Sequence, residues 1–357
     1  MSHLTFLNTS DRRPTPAKKT PPVQVSSTQQ SRQESTSMSD RASKHQTTQD
    51  FTAANFPTPH LALRSMADDV QVRGFAEEQA RVARVLLPRV SAALALPSTG
   101  HRAEVLTLAY DAVVRWRRAL AATTDDARYG ATGRPAVSRY AVTLDEDGPN
   151  YDRLGEVGRL RAGARWDTAT GRWTGGTDTP ASRILAVYGQ AARRRFAVEC
   201  ASSADRLANE VGLPISDRLI LGNTLLRGDA AREVAVRLAA RLGERRGVAE
   251  VETTGDLLYV VTADSDARRA AFREAMLVLS MAERADWSAW WSAAYLLYQA
   301  PQFKKGSDAT NRVFLAAVGA ALLGEAPVLP HDIDLRCMVL GQNAVMATPL
   351  LCGQVTA

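Results

Sequence analysis

Apolar positions along this chain recur mostly at helical spacing, and the pattern begins near residue 61. Asp68 and Asp69 lead into Val70, Val72, Phe75, Ala76, Ala80, Val82, Val85 and Leu86. These fall three and four residues apart with charges between them, which predicts an amphipathic helix that Pro88 kinks or ends. A second helix is expected over 101–122, with Val105, Leu106, Leu108, Val113, Val114, Trp116 and Leu120 toward the core and Arg115, Arg117 and Arg118 outward. Further helices are expected over 182–211, stopped by Gly212-Leu213-Pro214, then over 228–242 and 265–281. The runs 288–298 and 313–323 are apolar helical stretches that suit a buried position.

Period-two alternation is rarer. Residues 165–173 place Trp166 and Trp173 on two arms joined at Gly171, which predicts a hairpin whose tryptophans either pair across the strands or stack on a ligand. Residues 248–253 and 257–262 alternate on either side of Thr254-Gly255-Asp256 and predict a second hairpin. The stretch 123–150 is irregular, with a strand expected over 140–144. No internal repeat is present, and no strand–helix–strand alternation points to a parallel sheet. The fold class expected is mainly α, a helical bundle with short β-hairpin insertions.

Composition divides the 357 residues unevenly. Residues 1–58 are rich in Ser, Thr, Gln and Pro, and such a segment cannot bury enough apolar surface to offset its ordering entropy. They are expected to form a disordered tail before a helical domain over 59–357. That Ser/Thr/Gln-rich, acid-poor start resembles the secretion leaders of bacterial type III effectors, and the resemblance implies a secretion chaperone as its partner. No apolar stretch near the amino terminus predicts a cleaved signal, and no run approaches the roughly 20 residues of a membrane span.

The formal charge is +6, from 44 basic and 38 acidic residues. Arginines cluster at 115–118, 193–195 and 245–246, but acids match them closely and no nucleic-acid-binding signature accompanies them, so no nucleic-acid partner is expected. Three cysteines and five histidines are scattered without metal-type spacing, so no metal is expected.

Candidate chemistry concentrates at 300–312, between the two most apolar helical runs. Lys304, Lys305 and a Gly306-Ser307-Asp308 turn stand at the mouth of a helix, where unpaired N–H groups and the helix dipole favour an anion. Gly306 lets a backbone approach a ligand closely, Ser307 or Asp308 is expected to cap the helix, and Lys304, Lys305 and Arg312 supply positive charge. Downstream, His331 lies beside Asp332 and Asp334, and an imidazole held by a carboxylate can serve as a general base.

The stretch Pro301-Gln302-Phe303-Lys304-Lys305-Gly306-Ser307-Asp308-Ala309-Thr310-Asn311-Arg312 resembles the Fic-domain loop His-Pro-Phe-x-acid-Gly-Asn-Gly-Arg-x-x-Arg. Phe303, Gly306 and Arg312 match, and Ser307 is a small polar substitute. The resemblance implies a Fic-like portion over about 229–345, with the 248–262 hairpin as its target-positioning flap. The departures are as informative. The family's base falls at Pro301, which has no proton-transfer group, and its metal-holding acid falls at Lys305. The chain is thus similar to the degenerate avirulence protein B branch of type III effectors. That likeness implies a protein secreted into a host cell and acting on a host protein, as a glycosyl or nucleotidyl transferase. It would use a nucleotide or nucleotide sugar without a metal, with ligand contacts from Lys304, Lys305, Gly306, Ser307 and Arg312 and a base at His331 and Asp332. The alternative class is a non-catalytic helical adaptor.

Overall fold

Two long helices, α1 (Asp69–Leu94) and α2 (Thr99–Thr123), pack together near the start of the computed structural model, which describes residues 51–57, 69–123, 138–247 and 250–347. The short α3 (Ser138–Ala141) and α4 (Leu144–Asp147) lead to β1 (Tyr151–Leu154) and then to the hairpin β2 (Arg165–Asp167) and β3 (Arg172–Thr174). Next come α5 (Pro180–Glu199), β4 (Arg206–Leu213), β5 (Arg218–Leu226), α6 (Gly228–Arg246) and β6 (Leu258–Val261). The chain continues through α7 (Ser265–Met281), α8 (Trp287–Gln299), α9 (Ser307–Leu323), α10 (Ile333–Val339) and α11 (Gln342–Ala347).

The larger core is helical. α9 is its axis, with 13 of 17 residues buried, and it packs against α1, α2 and α8 while α7 packs against α2 and α8. A helix apolar on all sides needs neighbours on all sides. Trp290 of α8 is fully buried beside it, and its indole N–H donates to the Leu315 carbonyl at 3.0 Å. The crossing is tight at Gly319, where a Cβ would lie 2.4 Å from Cγ of Pro327.

The smaller layer is an antiparallel sheet in the order β1-β6-β5-β4. One face, with Leu154, Leu225, Leu258 and Val260, is covered by Leu185, Tyr188, Ala192 and Phe196 of α5. The other, with Leu226, Leu257 and Tyr259, is covered by Ala231, Val234 and Ala235 of α6.

Helices at 99–123, 228–246, 265–281, 287–299 and 307–323 stand where periodicity placed them, and Trp166 pairs with Trp173 across β2 and β3, rings edge-on at 5.7 Å. Several expectations are corrected. α1 runs through Pro88 to Leu94, because Val90 and Ala93 beyond it are buried in the core and hold the helix despite the lost backbone bond. Val70, Val85 and Leu108, assigned to core faces, are exposed. The helix expected over 182–211 ends at Glu199, and β4 and β5 follow as an antiparallel pair.

Residues 140–144 form no strand; α3 and α4 occupy the region, joined to the 300–312 loop by one bridge between Thr143 and Phe303. The hairpin expected over 248–262 does not form among its described residues. β6 lies between β1 and β5, with Tyr151 and Thr224 both opposite Val261, because side chains on both its faces are apolar and need cover on both sides.

Most of the tail expected over 1–58 lies outside the described residues, but its last part does not. Residues 53–55 form a 3-10 turn, Phe51 and Phe56 are buried in the helical core, and the Asn55 amide donates to the Ala326 carbonyl at 3.1 Å. The packed domain therefore already includes Phe51. No helix among the described residues is long and apolar enough to cross a membrane.

Candidate functional site

Gly306 begins the site. It is the N-cap of α9 with φ 91°, a left-handed conformation that costs glycine little, and no side chain caps the helix there. The caps expected from Ser307 and Asp308 are absent because both lie inside the helix. The first intrahelical bond runs from the Thr310 N–H to the Gly306 carbonyl at 3.1 Å, so the N–H groups of Ser307, Asp308 and Ala309 have no carbonyl one turn back.

This uncapped end opens into a shallow pocket of about 240 Å³, its mouth included. Tyr110, Val114, Arg117 and Arg118 from α2, Tyr140 from α3, and Phe303, Lys305, Gly306, Ser307 and Thr310 from the loop and α9 line it. Three of these residues are cationic, and none carries a carboxylate or an imidazole.

Arg117 and Arg118 were expected to point into solvent; both are half-buried instead. The Arg117 guanidinium lies 4.3 Å from the Tyr140 ring centroid and 5.4 Å from that of Phe75, and its Nη2 donates to the Tyr140 hydroxyl at 2.9 Å. Its Nε is buried and has no hydrogen-bond partner. Arg118 lies 4.3 Å over the Phe303 ring and donates from Nε to the Tyr140 carbonyl at 3.2 Å. The aromatic rings hold each guanidinium in place at the pocket. Periodicity marked these arginines as an outer face; the missed signal was Phe75 and Tyr140, aromatic partners too distant along the chain to be seen.

The expected ligand residues divide into two groups. Lys305, Gly306 and Ser307 line the pocket. Lys304 and Arg312 are held elsewhere. Lys304 Nζ donates to the carbonyls of Gly148 and Pro149 at 3.0 and 3.1 Å, with Asp147 at 3.8 Å. Burial pulls its ammonium below the ordinary lysine value, against the pull of Asp147. Arg312 is 1% exposed and donates from Nε to both oxygens of Asp308 at 2.9 and 3.0 Å, and from its terminal nitrogens to the carbonyls of Leu329 and His331. The Tyr298 hydroxyl completes this knot by donating to Asp308 at 2.9 Å. Burial pushes the Asp308 carboxyl up, and Arg312 opposes that rise. Arg312 therefore ties α9 to the chain before α10 and does not reach the pocket.

The expected pair of His331 and Asp332 is not formed. Asp332 is 3% exposed and accepts from the Tyr188 hydroxyl at 2.7 Å and from Arg336 Nε at 2.9 Å. His331 contributes its backbone carbonyl to Arg312. Asp332 thus joins α5 to α10, and its carboxylate is committed to a phenol and a guanidinium rather than to an imidazole. Among the described residues no cluster of His, Cys, Asp and Glu has the arrangement of a metal site.

The arrangement offers recognition of a small oxoanion: stacked guanidiniums on one side, a lysine beside them, and uncapped helix N–H groups at the base. In comparison with known proteins, no family model and no curated protein matches the chain.

Proposed function

We propose that the protein is an effector that acts on a host protein through a phosphate-bearing ligand, a nucleotide or nucleotide sugar, held at the mouth of α9 in the manner of a degenerate Fic-like domain. The observation that carries this reading is the pairing of Arg117 and Arg118 with the uncapped start of α9 in one pocket. The pocket as it stands is shallow, with enclosed room for about one water molecule, so a phosphate group would seat at its mouth, with the base or sugar lying outside, toward the target. The cations are the ones the pocket presents, Arg117, Arg118 and Lys305, in place of Lys304 and Arg312.

A second reading, a non-catalytic adaptor, is favoured by one specific fact. Pro301 cannot take a proton, and no residue lining the pocket is a carboxylate or a histidine. In that reading the anion is a recognition element of the partner itself.

Incubation of the protein with host extract and labelled nucleotide sugars or nucleotides decides between them. A transferase places label on a host protein band, and Arg117→Ala/Arg118→Ala abolishes it. An adaptor leaves no label and retains a host protein by an interaction that the same double substitution weakens. Label transfer that survives the double substitution contradicts the assignment of the site.

A further inference from the structure

Tyr140 stands in the pocket in a position that a bound anion would contest. Its hydroxyl accepts from Arg117 Nη2, its ring centroid lies 4.3 Å from the same guanidinium, and Arg118 holds its carbonyl. The ring also closes on the start of α9: a Cβ on Gly306 would come within 2.9 Å of Tyr140 Cδ1. Both side chains that bond Tyr140 are thus among the three cations lining the pocket.

The chain just beyond Tyr140 is secured by groups outside the pocket. The Lys304 N–H donates to the Val142 carbonyl at 3.1 Å and the Leu144 N–H to the Gln302 carbonyl at 3.0 Å. Lys304 Nζ holds Gly148 and Pro149, while Arg241 and Arg268 pair with Asp147 and Asp145. One end of this strap is therefore anchored independently of the site, while Tyr140 itself is bonded by two of the site's own guanidiniums.

We infer that Tyr140 is a gate: it occupies Arg117 at the mouth of the pocket, and an anionic ligand enters by displacing it. This rests on the anion-binding reading above and adds its regulation. A ligand that must displace a resident group binds with its intrinsic affinity reduced by the fraction of molecules already open. Anchoring at residues 142–149 holds the chain beyond Tyr140 in place while the gate opens.

The test is calorimetric titration of inorganic pyrophosphate into the full chain and its variants. Tyr140→Ala is expected to tighten binding about tenfold, which corresponds to an open fraction of about one-tenth in the unliganded protein. Tyr140→Phe, which removes only the hydroxyl bond, is expected to give a smaller gain in the same direction, and it decides the matter if circular dichroism shows that Tyr140→Ala does not fold. Arg117→Ala is expected to weaken binding in the presence or absence of Tyr140. If folded Tyr140 variants bind no more tightly than wild type while Arg117→Ala still weakens binding, the gate is wrong and the anion pocket stands. If no protein binds pyrophosphate, Tyr140→Ala included, the pocket reading itself fails.

Discussion

Arg117 and Arg312 are both arginines near one loop, and their surroundings give them opposite roles. Arg312 is buried against Asp308, Tyr298 and two carbonyls, so its charge is spent on the fold. Breaking one side of a buried ion pair leaves the other charge unmatched and costs about 3–5 kcal/mol. Arg312→Ala is therefore expected to lower the free energy of unfolding by that amount, measured by denaturant unfolding, and any loss of ligand binding should follow unfolding. Arg117 makes a phenol contact and carries a buried, unpartnered Nε. A hydrogen bond to a charged group is worth about 1.5–3 kcal/mol, so Arg117→Ala should weaken an anion roughly ten- to a hundredfold with little change in melting temperature. A melting curve and a titration on each variant separate the two roles. Lys305, Gly306 and Ser307, expected from the sequence as ligand residues, do line the pocket, because a loop before a buried helix has few local alternatives. Arg117, Arg118 and Tyr140 were not legible as site residues, because their meaning depends on contacts between α2, α3 and the loop. Pairing between distant segments leaves no periodic trace.

Helices were the legible elements. The 3.6-residue period of α2, α7, α8 and α9 survives in the structure because each buries a stripe or a whole surface against its neighbours. The sheet was less legible. β6 pairs with β1, more than a hundred residues earlier, as Tyr151 opposite Val261. A local hairpin was the natural expectation from alternation at 257–262, yet the strand's apolar residues on both faces required the distant partners and the helices α5 and α6. β4 was hidden by Asn209, which interrupts the apolar positions of its inward face; Asn209 is fully buried, and its amide donates to the Met338 carbonyl at 2.9 Å. Packing at the helical core gives a prediction at this scale. Gly319→Ala places a methyl group 2.4 Å from Pro327 Cγ and 3.0 Å from Trp290 Nε1. Overpacking of this kind costs about 1–3 kcal/mol, and the expected result is a lowered denaturation midpoint with an unchanged denaturant slope.

The whole molecule joins a helical core to a sheet covered on both faces, and several of its surface arginines, Arg81, Arg232 and Arg269 among them, pair with acids one turn away. Arg195 grips Glu199 with two bonds of 2.7 Å while also holding the Asn209 side chain and the Val339 carbonyl. That grip keeps the Glu199 carboxyl below the ordinary carboxylate range. A carboxylate whose pKa is depressed by folding stabilises the protein above its unfolded pKa and loses that contribution as pH falls through the folded value. Melting temperature should therefore fall on acidification below about pH 4, and Glu199→Gln should make that fall shallower while lowering stability at neutral pH. A pH series of melting curves for both proteins checks the sign. In the proposed Fic-like reading, Phe303 and Gly306 introduce the helix and Arg117 and Arg118 of α2 bring the charge for a ligand.

The charge that Arg117 and Arg118 bring from α2 is proposed to bind phosphate at the mouth of α9. Calorimetric titration of pyrophosphate and a nucleotide sugar into wild type and Arg117→Ala/Arg118→Ala, with both proteins shown to be equally folded, tests that proposal. Wild type is expected to bind measurably, and the double variant at least a hundredfold more weakly. Equal affinity for the two proteins, or no binding to wild type, would contradict it.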